Sequence, residues 1–305
     1  MRTRLLTFAA AAALSLSQFG CIKAMLTNGQ ISATRQGSGA LDTIADFEVG
    51  QTAAAAGLVQ FEGMHRLAPD NTDALFLLTK GWAGYGFAFA EDAMDVAQDK
   101  GDDDLAAYHK KRAKMAYERA VFYGLELLGH EADGFNDAKK NEDTFKKWLD
   151  KNFDDKDDAA NLFWVGYAWL SRVNIGKDNP ALVGELFVGV AMLEKSVQLD
   201  PSYNHYAGET ALAAYHSRTA MSEMDQSKQL FEDVLAKTEH KSLVVPLNYA
   251  THYACVKGDR ALYEKLINEV LTADDPDPQQ RFTNMIAKRR ARRALQKSRM
   301  EDCGF

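Results

Sequence analysis

The sequence predicts an all-α fold, a tetratricopeptide-like helical-repeat solenoid with extra packing and capping helices, on three observations. Apolar and small residues recur at three- and four-residue spacing, as in Phe47, Thr52, Ala55, Ala56, Val59, Met64 and Leu67, the mark of amphipathic helices. Alternating runs of β-branched residues are almost absent. The six prolines, at positions 69, 180, 201, 246, 276 and 278, fall mostly where one periodic segment gives way to the next.

The first element is a secretion signal. Arg2 and Arg4 precede an apolar stretch, Leu5 to Leu16, of about a dozen residues, short of the roughly 20 that span a bilayer. The stretch ends at Gly20-Cys21, a junction suited to the lipoprotein route, although Gln18 stands where a leucine is usual. Residues 1–20 are therefore read as a lipoprotein signal peptide and Cys21 as the lipidated anchor. A cleaved signal with Cys21 left unmodified is the competing reading. Ile22 replaces the aspartate that in many bacteria retains a lipoprotein in the inner membrane, which favours the outer one. Residues 21–40, rich in Gly, Ser, Thr and Asn, read as a tether, and 41–305 as one helical-repeat domain.

Within that domain the periodicity predicts helices over 41–67, 73–99, 103–129, 141–150, 159–174, 180–199, 204–219, 226–238, 242–256, 259–272 and 277–299. Three exits are alike. In "GLVQFEGMHRLAPD", "GVAMLEKSVQLDPS" and "SKQLFEDVLAKTEH" a small residue precedes a large apolar one by four positions: Gly57 and Phe61, Gly189 and Leu193, Ser227 and Phe231. Pro69 and Pro201 then stop the first two. This is the second helix of a tetratricopeptide-like repeat, in which the small residue lets the paired helix approach. "LFWVGYAW" supplies a matching first helix through Leu162, Val165, Gly166 and Trp169, and "NIGKDNPALVG" interrupts that repeat.

The chain carries 36 Lys and Arg against 43 Asp and Glu, a formal net charge of −7, which argues against nucleic acid as a partner. The basic run from Lys288 to Lys297 reads as a solvated helix face. No His-Glu-x-x-His, zinc-type cysteine pair, nucleophile elbow or phosphate loop occurs among these residues, so neither metal nor cofactor is expected. The acidic runs at 102–104 and 154–158 lack calcium-loop spacing and read as loops and helix N-terminal charges. Cys255 and Cys303 could pair in an oxidising compartment, or remain one buried thiol and one tail residue. An enzyme acting through His216 or His252 is disfavoured, because no base, nucleophile and orienting group can be placed together.

Aromatics are the more informative inventory. First helices line the concave face of a solenoid, which makes Trp82, Tyr85, Trp164, Tyr167, Tyr206, Tyr215, Tyr249 and His252 candidates for an apolar cleft with polar edges. The competing reading of each is filling of the interhelical core.

Segments in register over 75–298 resemble one family, the lipoprotein T component associated with tripartite ATP-independent periplasmic (TRAP) transporters. "NTDALFLLTKGWAGYGFAFAED", "MAYERAVFYGLELL", "LFWVGYAWLSRVNI", "LEKSVQLDPSYNHYAGETALAAYH" and "RFTNMIAKRRARRALQ" carry the resemblance, the last through Asn284, Ala287, Arg290 and Ala291. The pattern departs where "AMSEMDQSK" replaces a glycine pair. The resemblance implies a homotrimer, an apolar channel or cleft in each subunit, and work beside the periplasmic solute-binding protein of the transporter, without catalysis. The expectation is thus a lipid-anchored accessory protein that docks a solute-binding protein and holds or passes a hydrophobic small molecule. The alternative is a tetratricopeptide adaptor in cell-envelope assembly that binds peptide segments.

Overall fold

The computed structural model describes residues 24–218 and 223–305, and the regular structure among them is entirely helical. Residues 1–23, with the Cys21 anchor, lie outside the described residues. The tether expected over 21–40 is instead helical over 24–37, α1, followed by a 3-10 turn at Ser38–Thr43. Tertiary contact overrides the flexible composition here. Ile31 is buried beside Met64, Ala74 and Leu77, and Arg35 pairs with Asp73 at 2.7 Å while lying 4.0 Å over the Phe76 ring.

Local capping starts the next helices. Asp46 accepts the Val49 amide to open α2, Phe47–Leu67, and Asn71 accepts that of Ala74 to open α3, Thr72–Tyr85. The expected helix 73–99 is continuous but changes pitch, with a π turn at Gly86–Glu91 before α4, Asp92–Asp99. Asp102, from the first acidic run, caps α5, Asp103–Gly129. Then follow α6, Phe135–Ala138, α7, Glu142–Asn152, and the tryptophan helix α8, Asp158–Ile175. The interruption forms the short α9, Pro180–Val183, ahead of α10, Leu186–Leu199, and α11, Tyr203–His216. Beyond the undescribed 219–222 lie α12, Met224–Lys237, and α13, Val244–Asn248, with a second π turn at Tyr249–Ala254 leading into α14, Cys255–Lys257. The chain finishes with α15, Arg260–Thr272, α16, Arg281–Ala294, and α17, Lys297–Asp302.

Successive helices pack on their neighbours from α2 and α3 through α5, α8, α10, α11 and α12, an order consistent with tetratricopeptide-like stacking. A close approach joins α8 to α10. A Cβ on Gly166 would lie 3.0 Å from the Gly189 carbonyl oxygen, so both small residues are required where the helices cross. Ser227 plays the same part for α12: it is buried and donates to the Ala213 carbonyl at 2.8 Å. Gly57 differs. A Cβ there meets nothing closer than the Phe61 ring at 3.7 Å; between α2 and α3 the close contact falls on Gly81, where a Cβ would lie 3.0 Å from the Leu58 side chain.

The row of helices closes on itself. α16 returns to α2 and to the Ser38–Thr43 turn, and Phe282 enters an aromatic chain, 5.9 Å from Phe89, which lies 5.3 Å from Phe47. The basic run is therefore no solvated face. Arg289 and Arg293 both reach Asp92 of α4 at 2.7 Å, Arg290 donates to the Phe87 carbonyl at 2.6 Å, and Arg299 meets Asp99 at 2.6 Å. A charge-rich helix looked solvated because its acidic partners lie some 200 residues away in sequence. Cys255 and Cys303 form a disulfide that ties the start of α14 to the segment after α17.

Candidate functional site

Closure of the chain leaves a cavity of about 700 Å³, within the range that takes a small organic ligand. Its walls come from both ends of the sequence: α2 and α3, α8, α11, the two π turns, and α16. Most of the lining is apolar, and its densest part is an aromatic wall on α8. Phe163 and Tyr167 stack with centroids 5.9 Å apart, Trp164 meets Phe163 edge-on at 5.0 Å, and Phe87 crosses to Tyr167 at 6.3 Å.

The two π turns contribute opposite walls. The turn at Gly86–Glu91 carries Phe87, Phe89 and Glu91, all three in the lining; Phe87 meets Tyr167 of α8, while Phe89 packs toward Phe47 and Phe282. The turn at Tyr249–Ala254 presents His252. A third irregularity opens α11, where Asn204, His205 and Tyr206 adopt left-handed backbone angles, with φ of 49°, 57° and 61°. That strained turn sends Asn204 and His205 to the cavity, while Tyr206 packs on the C-terminal core.

Polar groups interrupt the apolar lining at defined points. Arg218 donates through Nη1 to Asn174 Oδ1 at 2.7 Å, and its Nη2 lies 3.2 Å from His252 Nδ1. Burial, with the fields of Arg218 and Arg290, presses the His252 pKa down to about 3 and keeps its imidazole neutral. Burial likewise raises the Glu91 carboxyl, against the pull of Arg290 at 3.7 Å and the 2.7 Å hydrogen bond that the Tyr117 hydroxyl donates to it. It also raises the Asp42 carboxyl, with Lys80 and His205 opposing.

Of the residues named from the sequence, Tyr85, Trp164, Tyr167, Tyr215 and His252 line this cavity. Trp82, Tyr206 and Tyr249 do not. Trp82 turns toward Glu62, to which its indole N–H donates at 3.0 Å, and Tyr206 lies beneath the Lys237 ammonium, 5.6 Å from its ring centre. Tyr249 is buried in the C-terminal core, stacked on Phe231 at 5.0 Å. His216, the other histidine weighed for chemistry, contacts Glu223 and Gln226 outside the lining. The polar lining residues Asp42, Lys80, Glu91, Asn174 and Arg218 went unnoticed. For Glu91 a signal existed, since a carboxylate ends the apolar run "GFAFAE" that the helical pattern buries.

The family model described as TRAP transporter T-component matches residues 43–301, and so spans the helices that form the cavity. The chain is also 22% identical over 239 residues to an uncharacterized protein of Treponema pallidum (strain Nichols), an alignment covering 76% of this chain and 73% of that one. With the match extending over most of its length, the chain belongs to the TRAP transporter T-component family and is an accessory component of such a transporter.

Proposed function

We propose that the chain is held at a bacterial membrane by lipid on Cys21, faces the periplasm, docks the transporter's solute-binding protein, and holds or passes an apolar small molecule through its cavity. The observation that carries this reading is the aromatic-walled cavity of about 700 Å³. An anchor raises the local concentration of the docking surface, so ligand can change hands without release into bulk water. Family membership is consistent with a non-catalytic role and with a periplasmic or membrane-associated location. Among the described residues no helix is long and apolar enough to cross a membrane, and the anchor at Cys21 supplies attachment in this reading.

An exposed apolar stripe supports the protein-contact part. Tyr108, Met115 and Phe122 repeat every seven residues along α5, and each keeps more than half of its surface open, at 59%, 58% and 58%. Stripes of this kind are where helices meet other chains, and it would serve the contacts of a homotrimer or the docked partner.

The cavity is tested with a neutral apolar reporter, N-phenyl-1-naphthylamine, followed by fluorescence. Wild-type protein binds it, and Tyr167→Glu or Trp164→Glu weakens binding by about tenfold or more, because a carboxylate in an apolar wall loses its hydration. Tyr215→Trp weakens it less. Wild-type affinity in these variants, with circular dichroism intact, would remove the cavity from the function. For docking, tagged protein is used to pull down partners from membrane extract; recovery of envelope-assembly machinery with no periplasmic solute-binding protein would sink the transporter role.

A further inference from the structure

The end of the molecule at which α1 begins is apolar and open. Met25 and Leu26, in the first turn of α1, keep 70% and 66% of their surface exposed, and Leu67, the last residue of α2, keeps 69%. A hydrogen bond sets α1 against the turn that follows Leu67: Asn71, the cap of α3, donates from Nδ2 to Asn28 Oδ1 at 2.9 Å. Further along α1, Ile31 is buried with Met64, and Ala68 packs against them. The three open side chains thus share one end of the unit formed by α1, α2 and α3. From Ala24 to Thr34 the helix carries no charged residue, and the exposed Arg66 and Asp70 beside Leu67 are of opposite sign. The nearby cleft that Thr72 shares with Glu131, Asp157 and Asp158 is rich in carboxylates, which gives anionic groups no advantage here.

Three large apolar side chains left open together mark a contact surface, and its place in the chain says what it contacts. Only Ile22 and Lys23 separate Cys21 from α1. At about 3.5 Å per residue, even a fully extended chain keeps Ala24 within about 10 Å of Cys21. Lipid on that cysteine would hold it at the level of the headgroups, and apolar faces that lie on a bilayer bury about 5–10 Å into the same zone. The helix cannot swing away from it freely, because Ile31 and the pair of Arg35 with Asp73 fix α1 to the body of the protein. The anchor therefore acts on a rigid end and not through a slack tether.

We infer that this end is a lipid-facing foot, with Met25, Leu26 and Leu67 seated in the interface of the bilayer that holds the anchor. This rests on the reading of Cys21 as lipidated and adds the protein surface that meets the lipid. A chain held by its lipid alone can turn about that point, and a second, apolar contact removes the freedom. The foot thereby fixes the orientation of the cavity and of the docking surface relative to the membrane.

The test reconstitutes the lipidated protein in vesicles of phosphatidylethanolamine and phosphatidylglycerol and places the fluorophore NBD on one introduced cysteine at a time. The variants are Met25→Cys, Leu26→Cys, Leu67→Cys and, as the control, Lys111→Cys. Lys111 is exposed near the start of α5, away from the end of that helix that returns beside Thr72. Cys255 and Cys303 are paired, so neither competes for the label. Labels at 25, 26 and 67 should brighten severalfold, shift to the blue and be quenched by lipids with a doxyl-bearing chain, while the label at 111 should do none of these. Raising the phosphatidylglycerol fraction should leave the pattern unchanged. Labels at 25, 26 and 67 as wet as the control overturn the foot. Brightening without doxyl quenching also overturns it, since the patch then meets another copy of the chain, and brightening that requires phosphatidylglycerol assigns the contact to cations instead. Mass spectrometry of the N-terminal peptide separates the two readings: acylated Cys21 with wet labels removes the foot alone, and unmodified Cys21 removes the anchor with it. All four replaced side chains are exposed, so the variants keep the fold.

Discussion

Glu62 illustrates how a residue can take an aromatic away from a site. Its carboxylate accepts from Arg119 Nε at 2.6 Å, from the Tyr123 hydroxyl at 2.6 Å and from the Trp82 indole at 3.0 Å. Burial pushes its pKa upward, but these three donors outweigh it and draw it down to about 2. Unfolded, the group titrates near 4.5, so the folded state binds protons less readily. The stabilisation is complete above that pH and drains away as pH falls toward 2. Discounted for solvent screening, it amounts to about 1–2 kcal/mol. Glu62→Gln should therefore lower stability near neutrality and flatten the acid limb between pH 4.5 and 2, as read from urea midpoints across that range; a parallel acid limb in wild type and variant would remove Glu62 from it. Nothing in the spacing of Trp82 distinguishes an indole aimed at a cavity from one aimed at a carboxylate twenty residues earlier. That choice depends on the rotation of α3 against α2, which the sequence pattern leaves open.

At the level of elements, the pairing of small and large residues was legible and the changes of pitch were not. Gly166 and Gly189 could be read as contact glycines because a helix crossing demands the absence of a side chain at both positions. Valine at Gly189 would push against Leu170 and the Gly166 carbonyl, where a Cβ already falls 2.8 and 3.1 Å away. Gly189→Val should cost about 1–3 kcal/mol through forced separation of α8 and α10, while the same change at Gly57, where a Cβ meets only ordinary contact, should cost markedly less. Thermal melts of the two variants check this, and equal costs would contradict the crossing. The π turns escape a reading based on regular helical spacing. Tyr85 and Phe89, four residues apart, share a helical face and Phe87 between them does not, yet all three line the cavity. The segment 24–37 escaped for the opposite reason, since its composition is that of a linker and its order comes from Ile31 and Arg35 finding partners on α2 and α3.

For the whole molecule the decisive feature is closure, because a cavity with walls from residues 38 to 286 exists only while α16 stays docked on the N-terminal helices. One device spans that joint, and a second braces it from the C-terminal side by fixing the segment that follows α17, whose Arg299 reaches Asp99 of α4. Asp92 is 2% exposed and accepts from Arg289 and Arg293 together, and the disulfide fastens the segment after α17 to α14. Asp92→Asn leaves both guanidinium groups short of their principal counter-ion, although Arg293 retains Asp99 at 3.4 Å, and should cost about 2–3 kcal/mol. Replacing Cys255 and Cys303 by serine should cost about 2–4 kcal/mol. Both act on one joint, so the combined variant should lose less than the sum of the two, since the second change acts on a seam already loosened. Hydrogen exchange should then rise in α4, α16 and α17 while α8 and α10 keep their protection, and reporter binding should weaken without loss of the α8 aromatic wall. Additive costs with exchange rising evenly along the chain would mean instead that the helices unfold as one unit and that the joint has no separate opening.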